Sequence, residues 1–530
     1  MASRFVRKVR TSSGAVAVQV VVKDRGRIVE VDHVGSAHTD AELALLLEAA
    51  RDRLRPGQGQ LDVGPVGQRP ARVDDVADWT APRTLPDSSA GGRPAAVAAG
   101  GRVLATPSRL LWDVLVEAYA RLGFDTVGDE AFQALVLARV IEPTSKADAV
   151  RVLGEMGIDP PALRTLFRAL GRCVARDYRD TLARACWEHS VRAAGGVAAL
   201  VLYDVTTLHF EIDAEDELRR VGMSKERRVD PQIQVGLLVD PGGFPLEVHC
   251  FEGNKAETLT LVPVLRAFQD RHQIRDLVVV ADAGMLSAGN LNALEDAGFG
   301  FIVGSRLAKA PYDLAEHFDA HGDYFADGQI LESARVMGTG QAARERRIVY
   351  QYRFERRKRD DRAINAMVEK AEKVAAGTRP LKKERFVSVR GAAKAVDWAR
   401  VDRARQLAGL KGYVTNIPAT TMTGAAVISA YHDLWQVEKS FRMAKSDLRA
   451  RPVFHHTRDA IEAHLTIVFA ALAVSRHLQD QTGMSIKKIV RTLREARSAT
   501  IEINGQRLTL DPALPPQAQE LLHAIDRTGH

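Results

Sequence analysis

Apolar and polar residues alternate with a period of two along residues 4–35, most clearly in AVAVQVVVKDRGRIVEVDHV, and a Gly-containing turn signal falls at Asp24 to Gly26. That alternation predicts half-buried strands joined by short turns. The spacing becomes helical in DAELALLLEAARDRL, from Asp40, and is lost from 64 to 107, where Pro, Gly, Ala and Arg dominate and a loop-rich linker is expected. From 108 to 195 it is helical throughout. Ser108 is placed to cap RLLWDVLVEAYARLGF, and a second helix is expected over roughly Asp129 to Val140. SKADAVRVLGEMGIDPPALRTLFRALGR then reads as a helix, a turn, and a second helix opened by Asp159 and Pro160.

The centre of the chain changes character again. AALVLYDVTTLHF (198–210), QIQVGLLVD and FPLEVHCFEG are apolar runs of strand length with short connections, which predicts a meander. A helix (AETLTLVPVLRAFQDRH), the strand DLVVVADAG, a second helix and the strand GFIVGSR follow, and strands reached through helices predict parallel crossovers. This β-β-β-α-β-α-β order is that of a ribonuclease H-like fold. About 110 residues then intervene before KGYVTNI (411–417), too many for a structureless loop, so an inserted subdomain is expected. YHDLWQVEKSFRMAKSDLRARPVFHH (431–456) reads as a helix whose face carries Tyr431, Glu438 and Lys445 seven residues apart, at nearly the same azimuth. The chain therefore divides into an N-terminal αβ module (1–63), the linker (64–107), a helical region (108–195), a sheet region in two parts (196–310 and 409–480) around the insertion (311–408), and a C-terminal region (481–530).

Composition narrows the class. Of 530 residues, 46% are apolar and 27% charged, as in a globular protein, and the net charge of +7 is compatible with a nucleic-acid partner without requiring one. Three widely spaced cysteines (Cys173, Cys186, Cys250) show no metal-ligand spacing and suggest a reducing compartment. The basic start MASRFVRKVR precedes no apolar segment of signal-peptide length. The apolar run LTIVFAALAV from Leu465 is about half of what a membrane span needs, so a cytoplasmic protein without a membrane partner is expected.

Basic residues cluster in several places. Arg164, Arg168 and Arg172 recur every four residues, either as a helix entering a DNA groove presents them or as an ordinary solvated face. RERRIVYQYRFERRKRDDR (344–362) sets nine basic residues against four acidic ones, with aromatics interleaved. Lys225, Arg227 and Arg228 lie in the loop after the first central strand, and Arg449, Arg451, His455 and His456 follow the 431–456 helix; each is a candidate for DNA backbone contact. Asn254 could lie near a metal or simply in a turn, and His209 and His249 read as core or rim histidines.

The acidic residues carry the candidate chemistry. Asp204 and Asp282 each end an apolar strand run, LVLYD and LVVVAD, where functional groups of α/β sheets collect. A carboxylate after buried apolar residues is costly unless a cation or donor compensates it. With Glu438 as a third, they would form an oxygen-only site suited to Mg²⁺ or Mn²⁺. No His/Cys cluster, phosphate-binding Gly-rich loop or G-x-S-x-G motif points elsewhere.

LYDVTT, VVADAGMLS and YHDLWQVEKSFRMAK resemble the three acidic motifs of bacterial DDE insertion-sequence transposases, most nearly the IS-four-like branch, over roughly 198–475. Tyr431, Glu438 and Lys445 match that branch's Tyr-x2-Arg-x3-Glu-x6-Lys pattern, with Leu434 standing where the branch has Arg. The resemblance implies a ribonuclease H-like mixed sheet flanked by helices, a β-rich insertion before the glutamate, and a largely helical N-terminal DNA-binding region. It implies that Asp204, Asp282 and Glu438 hold two Mg²⁺ or Mn²⁺ ions for DNA cleavage and strand transfer, with two copies pairing the terminal inverted repeats. Tyr431 and Lys445 would contact phosphates, the missing arginine's role would be absent or taken by a neighbour such as Arg442, and Trp435 would stack on an extruded base or else pack in the core. Lys225, Arg228, Arg164 and Arg168 would bind DNA. A bacterial, nucleoid-associated location follows. A catalytically idle DNA-binding descendant and a ribonuclease H-like nuclease without transposition are the alternatives.

Overall fold

The computed structural model describes residues 3–10, 16–24, 27–37, 102–196, 200–210, 215–222, 230–256, 259–285, 287–305, 314–380, 384–390, 393–451 and 453–527. The helix expected from Asp40, most of the expected linker, and Lys225, Arg227 and Arg228 lie outside them. The chain forms two compact units, Met1–Ala96 and Val97–His530. In the first, β1 (Ser3–Arg10), β2 (Val16–Asp24) and β3 (Arg27–Ala37) form the expected antiparallel meander, with Val18, Val20 and Val21 buried.

The second unit opens with a strand inside the stretch expected to be linker. β4 (Arg102–Ala105) pairs with a strand near the other end of the chain, β15 (Ala499–Ile503), which continues into β16 (Gln506–Leu510). Five helices follow: α1 (Arg109–Arg121), α2 (Glu130–Ile141), α3 (Lys146–Glu155), α4 (Leu163–Ala175) and α5 (Tyr178–Ala194). Asp129 caps α2, accepting from the amides of Ala131 and Phe132. The α3–α4 pair is the expected helix-turn-helix, but Asp159 and Pro160 precede α4, which starts after Ala162.

The main sheet has eight strands. β5 (Leu200–His209), β6 (Gln232–Val239) and β7 (Pro245–Glu252) are antiparallel neighbours. Helix α6 (Leu261–His272) leads to β8 (Val278–Ala281), and α7 (Ala288–Asp296) to β9 (Gly300–Ser305). β8 lies parallel to β5 and β9 parallel to β8, so these five strands run in the order third, second, first, fourth, fifth, the ribonuclease H-like arrangement expected from the element order. All eight residues of β6 are buried, as in a strand covered on both faces.

The insertion is less separate than expected. After α8 (Ala315–His321), β10 (Ile330–Met337) and β11 (Arg344–Tyr352) extend the main sheet beyond β14 (Leu410–Thr415), which pairs with β9. The remainder is α9 (Phe354–Ala375), the hairpin β12 (Val387–Arg390) and β13 (Ala393–Val396), and α10 (Trp398–Gln406). Ile364, Val368, Val374, Phe386 and Val401 give these elements a small core of their own. The basic run 344–362 is thereby split between a sheet strand and a 22-residue helix.

The expected helix over 431–456 is two. α11 (Gly424–His432) stops before Asp433, and α12 spans Trp435–Ser446. Between them the Leu434 amide donates to Tyr431 O (3.1 Å) and the Gln436 amide to Asp433 O (2.8 Å), the i→i+3 pattern of a 3₁₀ turn. Each residue there advances the chain by about 120° rather than 100°, so Tyr431 leaves the row that Glu438 and Lys445 still share. The run from Leu465 lies in α13 (Arg458–Thr482), which is long and apolar enough to cross a membrane, yet 94% of its apolar window is buried inside the protein. It packs on α2, α4, α12 and β7, so one helix backs both the helical region and the sheet. Two further helices, α14 (Ile486–Glu495) and α15 (Pro516–Arg527), complete the described chain.

Candidate active site

Parallel pairing of β5 with β8 sets Tyr203 beside Ala281, which makes Asp204 and Asp282 the next residue on each chain. Adjacent strands lie about 4.8 Å apart, so the backbone alone brings two carboxylates to neighbouring positions. The alternation of side chains decides which face they take. Tyr203 points one way, donating to Thr260 Oγ1 (2.9 Å) ahead of α6. Asp204 and Thr206 point the other way, towards α12. Asp282, one residue past β8, is exposed.

Helix α12 supplies the third acid. Val437, Ser440, Phe441 and Ala444 are buried, and Ser440 Oγ donates to Gly243 O (2.8 Å), which fixes that face to the protein. The opposite face presents Glu438, Arg442 and Lys445 to an open cleft of about 430 Å³, whose other lining residues include Asp204, Thr206, Ser446 and Arg451. Lys445 Nζ donates to Thr206 Oγ1 (2.5 Å) at one end of the cleft. Thr206 was not singled out from the sequence. Its signal was its place two residues after Asp204, which puts it on the same strand face.

Tyr431 stands apart from this row, at Asp282. Its hydroxyl donates to Asp282 Oδ1 (3.2 Å), which also accepts from the Ala283 amide (2.6 Å). Burial, and then the Asp282 carboxylate, push the Tyr431 phenol above its ordinary pKa, so it remains a donor at neutral pH. Gly304 on β9 makes room for it, since a Cβ there would sit 2.4 Å from the Tyr431 hydroxyl. Lys411 lies 5.2 Å from the centre of the same ring.

The remaining candidates separate. Leu434 is buried at 7% exposure, in a place where a guanidinium would have to be desolvated. Trp435 is 51% exposed, which removes core packing as its role, and Lys439 lies 5.4 Å above its ring. Arg164 and Arg168 are exposed on α4, whereas Arg172 is drawn back onto Asp129 through two hydrogen bonds (2.7 and 2.9 Å) and does not present a third groove contact. Asn254 is an exposed residue beyond the end of β7, whereas Asp204 is level with Leu237 and Val248, so the metal role considered for Asn254 is corrected to a turn role. His249 bonds Glu247 (2.8 Å), the structural role expected for it.

The donor chemistry of Asp204, Asp282 and Glu438, oxygen only, fits a hard divalent cation. Among the described residues no three acidic, His or Cys side chains are close enough to form a ready-made metal group. What the fold assembles is one pair across the strands and a third carboxylate across the cleft.

The family described as Transposase DDE domain matches residues 197–474, which contain all of these groups. The chain belongs to that family. In this transposase the matched segment begins just before β5 and closes within α13, so it spans both parts of the sheet region and the insertion between them. No curated protein shows a significant match to this transposase. Among solved structures, it is similar to a piggyBac transposase in a synaptic complex with hairpin DNA, at 11% identity and a TM-score of 0.35, over 71% of this chain and 70% of that one.

Proposed function

We propose that this transposase cuts DNA at the ends of an insertion sequence and joins the freed 3′ ends to target DNA, a cut-and-paste reaction carried by Asp204, Asp282 and Glu438. The observation behind it is the register that sets Asp204 beside Asp282, with Glu438 facing Asp204 across the cleft. The three carboxylates would hold divalent ions, Mg²⁺ or Mn²⁺, which activate the attacking oxygen and stabilise the leaving one. Each remaining residue has a task of its own. Tyr431 orients Asp282 by donating to one of its oxygens. Arg442, Lys445 and Arg451 lie along the cleft and neutralise the phosphates threaded through it. Trp435 offers its exposed face to a base, and Arg164 and Arg168 contact flanking DNA backbone from α4. Lys225 and Arg228 are proposed to do the same from their loop. Two copies would pair the terminal inverted repeats before joining to target DNA, in the bacterial cytoplasm.

The test uses purified protein, Mg²⁺ and a donor plasmid carrying the element's ends. Double-strand excision is expected, and Asp204→Ala, Asp282→Ala and Glu438→Ala should each abolish it while leaving the melting temperature near that of the unaltered protein. End binding without any cleavage by the unaltered protein would instead assign a DNA-binding descendant, and cleavage indifferent to end sequence would assign a simple nuclease.

A further inference from the structure

A larger cavity, of about 710 Å³, lies beside the catalytic cleft, and Arg451 lines both. It is formed where Arg449, Arg451 and residues 454–456, after α12, meet the start of α3, the helix α4 and the buried residue His464 of α13. We propose that this cavity holds an unpaired nucleotide of the DNA strand leaving the cleft, with its phosphate at the α3 start and its base between Phe167 and Phe454. The proposal rests on the DNA-cleaving function proposed above and adds a second binding site to it.

Charge supports an anion here. Among the described residues that line the cavity none is acidic, while Lys146, Arg449, Arg451 and His456 all contribute to its wall. Lys146 and Ala147, whose first-turn amides have no partner within α3, line the same wall, and the first-turn carboxylate of that helix, Asp148, is held by Thr144 (2.7 Å) and Arg151 (2.9 Å). Arg139, buried at 8% exposure, donates to the carbonyls of Leu448 (3.2 Å) and Arg449 (3.3 Å), and so fixes the turn that presents Arg449.

Two aromatic faces suit a base. Phe454 is 72% exposed and Phe167 50% exposed, and both belong to the same cavity wall. Large apolar rings left in water beside a basic pocket are the arrangement by which proteins hold single-stranded nucleic acid, by stacking along a charged groove.

His464 closes the inner end of the cavity as a neutral, buried side chain. It is buried at 4% exposure, and its Nε2 donates to Ala450 O (3.1 Å), which leaves Nδ1 as an acceptor. Nδ1 is buried, has no hydrogen-bond partner, and belongs to a side chain lining the cavity. Burial keeps this imidazole neutral, so the lone pair persists. Burial, and then Arg139, also lower the Lys146 pKa to about 7, and its Nζ donates to Nε2 of a neutral His455 (2.5 Å). A phosphate beside Lys146 would hold it protonated.

The experiment measures binding of the full chain to a mixed-sequence duplex of about 20 base pairs, blunt or with a single-stranded extension of about five nucleotides, by fluorescence anisotropy without divalent ions. The extended duplex should bind roughly 10-fold tighter, the equivalent of one stacked base, and Phe167→Ala/Phe454→Ala should remove that gain while leaving blunt-duplex affinity unchanged. Both rings are exposed, so the double variant should keep its melting temperature. A gain that survives the double substitution, or no gain at all alongside normal blunt binding, overturns the nucleotide site and leaves the transposase reaction standing. No binding of either duplex overturns both. Saturation by deoxyadenosine monophosphate with no preference for extended DNA would assign the cavity to a free nucleotide and overturn the strand assignment.

Discussion

Strand β11 and the rim of the proposed catalytic cleft carry the same residue type to opposite ends. On β11, Arg344 reaches Glu295 (3.0 Å) and Asp296 (2.6 Å), Arg347 reaches Glu332 (2.8 Å), and Arg346, with a wholly buried side chain, reaches Glu295 (2.8 Å) and Asn292 (2.5 Å). Every one of these charges is spent holding the insertion's strands and α7 together. Arg442 and Arg449 instead face open cavities. The lesson is that a basic run does not announce a ligand. Whether an acid from another element meets it decides the matter, and that is a property of topology.

Substitutions can break this contrast, or sharpen it. The largest effect is expected on the acidic side of the cleft: Glu438→Gln should slow plasmid cleavage at least ~1,000-fold, about 4 kcal/mol of barrier, with an unchanged denaturation midpoint. Gel-resolved cleavage beside chemical denaturation would show whether the two quantities separate. Arg346→Met should do the reverse. It leaves Glu295 short of a buried partner and should cost roughly 3 kcal/mol of stability by urea unfolding, with DNA affinity intact. A loss of DNA affinity at a temperature where the variant is folded would contradict the division drawn here. Arg442→Ala should weaken binding of cleft-threaded DNA about 10-fold and flatten its dependence on salt, measurable as the slope of affinity against ionic strength.

A smaller effect concerns Lys146, whose pKa burial depresses to about 7. In the unfolded chain it titrates near ~10.4. Below about 7 the ammonium is charged in both states and its desolvation opposes folding in full; that penalty fades as pH rises towards the unfolded value. Lys146→Met should therefore raise the melting temperature by a few degrees (~2–4 °C) at pH 6 and by progressively less up to pH 10. The same variant should lose the preference for extended DNA. In the unaltered protein that preference should itself weaken from pH 6 to pH 8, as Lys146 deprotonates among Arg139, Arg449, Arg451, His455, His456 and His464.

Much of the sheet was legible because its strands are short apolar runs with clear punctuation. Asp204 and Asp282 were legible from the same runs, Asp204 closing the apolar half of β5 and Asp282 following the end of β8. The 3₁₀ turn at Asp433–Leu434 was not, since helical periodicity counts residues and cannot see one hydrogen bond shortened from i+4 to i+3. That turn moves Tyr431 from the glutamate's row to Asp282. The role of Arg172 was hidden because its partner, Asp129, lies 43 residues away and was read only as the start of a helix. The joining of β10 and β11 to the main sheet depends on pairing with β14, about 65 residues further along, for which local pattern holds no signal. The second cavity is a sharper case. Arg449, Arg451, His455 and His456 stood out as a basic segment, but Lys146 and Phe167, which close the pocket, come from a region three hundred residues earlier.

The long helix α13 gives the molecule a keel. Because the same buried rod lies under α2 and α4 on one side and under β7 and α12 on the other, the helical region has no apolar floor of its own. Excised as a fragment, it would expose the surface that α13 now covers and would tend to collapse or aggregate. A strain applied to α4 would be felt at the back of α12 through this one helix, which packs on both.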